Sequence, residues 1–303
     1  MSRKLYDKLK NLTTEARNPR STELDQLSTL EIVQLINQED HLIAPAVAKV
    51  LPQVARAADL VTASFNAGGR LIYAGAGTSG RLGVLDASEC PPTFGVQPRQ
   101  VQGVIAGGRQ TLVRSREGVE DDREAARAAV DKLKLAFADT LVGIAASGRT
   151  PYPLAALAQA KKRSAATVFL VCNRIEKLPR YIDLAINPIL GPELLTGSTR
   201  MKAGTACKLI LNMISTAAMV RTGRCFGNLM VDLRATSAKL QERARRILVE
   251  VTGISYAAAG KLLEAAHGEV KTALAMQLLA IDYRTARRQL AEADGHLHRL
   301  ISH

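Results

Sequence analysis

Two short stretches of this sequence gather hydroxyl groups and glycines in a way that suits the capture of an anion. Gly75-Ala76-Gly77-Thr78-Ser79-Gly80 follows an apolar run and precedes a helical one, and Ala145-Ala146-Ser147-Gly148-Arg149-Thr150-Pro151 repeats the arrangement farther along. Backbone N–H groups at a helix start, joined by Ser and Thr hydroxyls, form a compact cradle for a phosphomonoester. If the two preceding strands are neighbours, both loops can hold one phosphate. The first stretch also fits the G-x-G-x-x-G pattern of dinucleotide-binding turns, which wants an acidic residue about 20 positions on to hold the ribose. The region Gly95-Val96-Gln97-Pro98-Arg99-Gln100 offers no acid, only Arg99 for a 2′-phosphate. A tight turn whose hydroxyls cap the next helix is the structural alternative.

Acid–base chemistry near neutral pH needs carboxyl groups tuned by their surroundings. Glu89, in Asp86-Ala87-Ser88-Glu89-Cys90-Pro91, stands before a helix-ending proline in apolar company, the kind of setting that raises a carboxyl pKa. Glu120, in Glu117-Gly118-Val119-Glu120-Asp121-Asp122, opens a helix beside Arg116, Arg123 and Arg127. On residue types alone, such an acidic start is more often a solvated face favoured by the helix dipole. Glu193, Ser198, Thr199, Arg200 and Lys202 crowd a third polar stretch. They read either as contacts to an anionic substrate or as a helix N-terminus held by packing.

The rest of the composition removes other chemistries. Cys90, Cys172, Cys207 and Cys225 form no Cys-x-x-Cys pair, while His41 and His267 stand alone, so no zinc site, disulfide scaffold, metal or cofactor is expected. A net charge of +13 suits a polyanion or an anionic small molecule. With 4% aromatic residues, no Trp and no DNA-reading motif, stacking platforms are scarce and a nucleic-acid partner is not expected. No stretch reaches the roughly 18 unbroken apolar residues of a membrane span, and the start, Met1–Lys10, is polar rather than signal-like. The expectation is a cytoplasmic chain without a membrane partner.

The elements that must position these residues are legible as periodicity. Ser28-Thr29-Leu30-Glu31 is a capping signal before the apolar positions Ile32, Val33, Leu35 and Ile36, and a second helical run covers Ala44 to Phe65. Strand-sized apolar runs follow at Arg70–Ala74, Val101–Ile105, Thr140–Ala145, Thr167–Val171 and Leu184–Ile189. Helix-length segments separate them, which predicts βαβ units in a parallel sheet covered on both faces. From Gly191 the chain reads as helical again. An Ala-rich segment from Val251, opened by Thr252-Gly253-Ile254-Ser255, predicts two or three short helices.

The two hydroxyl loops resemble the phosphate loops of the sugar isomerase (SIS) proteins. Three longer segments, Gly75–Gly95, Ala145–Tyr152 and Gly191–Thr205, resemble signature segments of N-acetylmuramic acid 6-phosphate etherases. The likeness extends to Thr14-Glu15-Ala16-Arg17-Asn18, Asn37-Gln38-Glu39-Asp40 and Gly227–Asp232. The resemblance implies an α/β fold: a SIS-type, five-stranded parallel sheet flanked by helices, with a small all-helical C-terminal domain. It implies N-terminal helices over 1–55, the sugar-phosphate domain over 56–246 and a UBA-like helical domain over 247–303. By position, Ser79, Ser147, Gly148 and Thr150 become phosphate ligands, with Thr78 alongside. Glu89 becomes the proton donor to departing lactate and Glu120 the second catalytic residue, a base for the C2 proton. The implied reaction removes D-lactate from a phosphorylated amino sugar in cell-wall recycling, in a homodimer acting on a small sugar phosphate. Arg109, where an acid or His is common, and Arg174 after Asn173 depart from the pattern. A non-catalytic SIS protein that senses a sugar phosphate would keep both loops without needing the two acids.

Overall fold

Short apolar runs become largely buried strands because helices cover the sheet on both faces. The computed structural model describes residues 13–233 and 238–301; the polar start Met1–Lys10 lies outside them. The strands are β1 (Leu71–Gly75), β2 (Val101–Ile105), β3 (Thr140–Ile144), β4 (Ala166–Leu170) and β5 (Leu184–Ile186). They form one parallel sheet in the order β2-β1-β3-β4-β5, with Leu71 opposite both Val101 and Thr140. Every residue of β1 and β3 is buried. The expected fifth strand is shortened to Ile186, two residues before Pro188, which cannot donate to a ladder.

The chain divides into two compact units, one made of the residues up to Ser88 with Arg99–Ser215, the other of Glu89–Pro98 with the residues from Thr216. In the first, α1 (Thr29–Asp40) starts at the predicted capping box of Ser28 and Glu31. The run from Ala44 to Phe65 is broken into α2 (Ile43–Ala48) and α3 (Leu51–Asn66). Pro52 causes the break, since it has no N–H for the Ala48 carbonyl. The buried face of α3, Val54, Ala57, Ala58, Val61 and Phe65, packs on β1, β3 and β5. The helix α4 (Gly77–Phe94) leaves β1, α5 (Arg123–Leu133) precedes β3, and α6 (Pro151–Lys162) joins β3 to β4. Helices α5 and α6 pack together over a core that includes Ile72, Val130, Leu141, Leu157 and Phe169.

Gly191–Met201 is not helical, contrary to the periodicity; α7 (Lys202–Arg221) begins only after it. This helix is long and apolar enough to cross a membrane. Its residues Ala203, Ala206, Cys207, Ile210, Leu211 and Ile214 are core positions. Cys90, Cys172 and Cys207 are buried, and Cys225 is half-buried.

In the second unit, α8 (Ala238–Thr252) is followed by four short helices rather than two or three: α9 (Tyr256–Ala265), α10 (Val270–Leu279), α11 (Tyr283–Glu292) and α12 (Leu297–Ile301). Ser255 caps α9 as its sequence suggests, and Asp282 caps α11. Their core, including Val231, Leu248, Leu263, Leu274 and Leu290, begins before α8, and the expected boundary at 246/247 falls inside that helix.

Candidate functional site

In an open parallel sheet, ligands sit beyond the carboxyl ends of the strands where the strand order reverses. Here that point lies between β1, which leads on to β2 at the sheet edge, and β3, from which the sheet grows the other way. The two hydroxyl loops leave these two strands and face one cavity of about 430 Å³. Thr78 and Ser79 line it from the first turn of α4, and Ser147 and Thr150 from the start of α6.

The loops are shaped for close approach. A side chain at Gly80 would meet the Gly75 carbonyl oxygen at 2.7 Å, so only glycine lets the α4 turn fold this tightly against β1. Gly148 holds φ +77° with Val171 2.8 Å from where a Cβ would stand; it shapes the second loop and is not itself on the cavity wall. Thr150 occupies the N-cap position of α6 but makes no side-chain cap hydrogen bond. The capping alternative therefore does not account for its hydroxyl. The Ser147 hydroxyl accepts from the Arg149 N–H at 3.3 Å, leaving its own proton to donate.

Glu120 lines the same cavity from the short turn Val119–Asp121, an exposed position just before α5. Asp122 takes over the capping duty there, accepting from the Ala125 N–H at 2.8 Å. Glu89 does not line the cavity. It is exposed rather than wrapped in apolar company, because Ala87 and Cys90 take the buried side of α4. Ten residues of helix separate Glu89 from Ser79, about 15 Å of axis.

The third polar stretch separates into two roles. Thr199 lines the cavity, while Ser198 is half-buried and Arg200 exposed, both off its wall. Glu193 is buried and accepts the backbone N–H groups of Lys202 at 3.0 Å and Ala203 at 2.9 Å, which satisfies the start of α7. Lys202 is buried in an ion pair with Glu39 and also donates to the Leu190 carbonyl at 3.1 Å. Glu39 further accepts from Asn18 at 3.0 Å and Arg20 at 2.9 Å. Both side chains are thus committed to fixing α7 and α1.

Burial pushes the Glu39 carboxyl up, but hydrogen bonds and charge from Lys202, then Asn18 and Arg20, outweigh it and hold the pKa below the ordinary value. Removing one partner strands a buried charge: Lys202→Met is expected to cost about 3–5 kcal/mol in urea unfolding. Because the folded pKa is depressed, this stabilisation is complete above the unfolded value of about 4.3 and is lost as pH falls through the lower folded value. Urea midpoints followed into acid should fall more steeply for the wild type than for Glu39→Gln.

Residue spacing did not reveal six further groups on the cavity wall: Glu15, Arg81, Thr111, Ser115, Arg116 and Glu117. Glu15 arrives because Thr13 donates to Asn173 from its N–H at 2.9 Å and its hydroxyl at 2.6 Å. Asn173 in turn donates to the Thr14 hydroxyl at 3.0 Å. The motif around Glu15 was visible in the sequence; its neighbour across 160 positions was not.

Comparison with known proteins agrees with this fold. A sequence profile of the glucokinase regulatory protein N-terminal SIS domain matches residues 53–161. A Bacteroides fragilis protein described as a phosphosugar isomerase involved in capsule formation shares the fold, at 19% identity and a TM-score of 0.50 over 64% of this chain and 92% of that one. The N-acetylmuramic acid 6-phosphate etherase of Rhodopirellula baltica is 51% identical over 98% of this chain and 99% of its own. That of Streptomyces coelicolor is 53% identical over 97% and 94%. With half of its residues identical across nearly the full length of such relatives, the chain belongs to the N-acetylmuramic acid 6-phosphate etherase family.

Proposed function

We propose that this chain cleaves the D-lactyl ether of N-acetylmuramic acid 6-phosphate, giving D-lactate and N-acetylglucosamine 6-phosphate. The observation that carries the reading is the convergence of Thr78, Ser79, Ser147 and Thr150 on a cavity that also holds a carboxyl group, Glu120. The four hydroxyls and the N–H groups of the α4 start bind the phosphate. Binding energy gathered there, away from the reacting carbons, holds the opened sugar in place.

An alkyl ether is a poor leaving group, so direct displacement at C3 is slow. Opening the sugar to its aldehyde acidifies the C2 proton. Glu120 takes that proton, the C3–oxygen bond breaks, and the departing lactate oxygen is protonated by Glu89. Water then adds to the unsaturated aldehyde: its hydroxyl goes to C3 and a proton returns to C2, with Glu89 acting in reverse as base.

The working form is a cytoplasmic homodimer. Helix α1 supports this, since Leu30 and Val33 stand 63% and 50% exposed, as contact residues do. A dimer also answers the position of Glu89. Five bonds separate phosphorus from C3, a reach of at most about 7 Å, well short of the helix length between Ser79 and Glu89. The partner subunit's Glu89 therefore completes each pocket.

Turnover in deuterated water tests the mechanism. The product should carry deuterium at C2. Lactate release with unlabelled product rules out elimination and re-addition.

A further inference from the structure

We propose that Arg81 is a positioning residue that ties the segment carrying Glu120 to the phosphate-binding turn. The inference rests on the reading of Glu120 as the C2 base. Arg81 lies two residues beyond Ser79 on α4 and lines the same cavity. Its guanidinium donates from Nε to the Leu112 carbonyl at 3.0 Å, and from Nη2 to the Thr111 carbonyl at 2.7 Å and the Ser115 hydroxyl at 3.3 Å. All three acceptors belong to the stretch that leads from β2 to Glu120.

That stretch has little else to hold it. Between Gly108 and Gly118, Thr111 is the one buried residue, and Val113 is 88% exposed. The Thr111 hydroxyl lies 2.8 Å from the Ala106 carbonyl and 2.7 Å from that of Gly108, which pins the start of the stretch to the end of β2. Val119, packed against the main core, pins its far end. Arg81 reaches the middle of the stretch from outside it with three hydrogen bonds. A planar fork can reach two successive carbonyls and a hydroxyl together; a lysine ammonium cannot reproduce that geometry. The guanidinium edge formed by Nε and Nη2 is spent on protein oxygens, which argues for a tether rather than a phosphate ligand. The consequence is mechanical: phosphate seated on Thr78 and Ser79 is registered through Arg81 to the carboxyl group that must meet C2.

Three full-length variants test this: Arg81→Lys, Arg81→Ala and Thr111→Val, the last loosening the same stretch with Arg81 intact. The measurements are kcat, KM for N-acetylmuramic acid 6-phosphate, and amide hydrogen exchange over residues 109–121. Misplacing a reacting group by about 1 Å costs on the order of 100-fold, so both Arg81 variants should lose about 10- to 100-fold in kcat. KM should stay within about threefold, and amide protection over 109–121 should fall. Thr111→Val should lower kcat and amide protection in the same direction by less, again with little change in KM, and it carries the test alone if the Arg81 variants do not fold. A raised KM with unchanged kcat makes Arg81 a substrate ligand and overturns the proposal, as does wild-type behaviour of Arg81→Lys or unchanged amide exchange. Glu120→Gln run in parallel separates the two readings: if it retains full turnover, the role of Glu120 fails, while the exchange data still judge the tether.

Discussion

Glu120→Gln is expected to lower kcat by about 10²- to 10⁴-fold, the usual worth of a positioned general base, and to abolish deuterium incorporation at C2. The substitution keeps the size and hydrogen-bonding reach of the side chain but removes its ability to accept the proton. KM should change little, because the proposed phosphate ligands, Thr78, Ser79, Ser147 and Thr150, lie on other elements lining the cavity. Folding should be unaffected: Glu120 is exposed, and the start of α5 is capped by Asp122 instead. Continued C2 exchange at the wild-type rate would transfer the base to another cavity carboxylate, Glu15 or Glu117.

Glu89→Gln should produce a loss of the same size in lactate release while leaving C2 exchange measurable, since proton removal precedes departure of the ether oxygen. The two glutamates are thereby separated by which bond stops changing. Their placement adds a sharper consequence. If each pocket takes Glu120 from one subunit and Glu89 from the other, mixing inactive Glu89→Gln and Glu120→Gln proteins under subunit exchange restores activity. Random pairing makes half of the dimers mixed, and each mixed dimer has one intact pocket of two, so about one quarter of wild-type activity should return. No recovery, with exchange verified, would put both groups of a pocket in one chain and remove the argument from the length of α4.

The exposed apolar residues of α1 and the exposed Glu89 belong to the same picture. Leu30 and Val33 give α1 an apolar face that the chain leaves open, whereas its buried residue is charged: Glu39, paired with Lys202. Reading α1 by periodicity alone puts Ile32, Val33, Leu35 and Ile36 against the core. In the structure they are half-buried or exposed, because the helix is docked through its ion pair and offers its apolar side elsewhere.

What the sequence determined by itself is what depends on near neighbours along the chain. Runs of apolar residues marked all five strands to within a residue or two, except where Pro188 cut the last one short. Ser28 and Ser255 announced their helix starts because a cap bonds to residues three positions away. Both hydroxyl loops were visible as loops, and their small residues were needed for local turns. Tertiary structure decided everything that turns on which distant groups meet. It set β1 beside β3, so that two separate loops face one cavity. It spent Glu193 and Lys202 on fixing α7, though their types suited an anionic substrate equally well. It brought Glu15 to the cavity through Asn173, and joined Arg81 to carbonyls thirty positions on. The physical reason is that a charged or hydroxyl side chain carries the same donors and acceptors wherever it stands. Only the folded surroundings choose whether a protein atom or a ligand satisfies them.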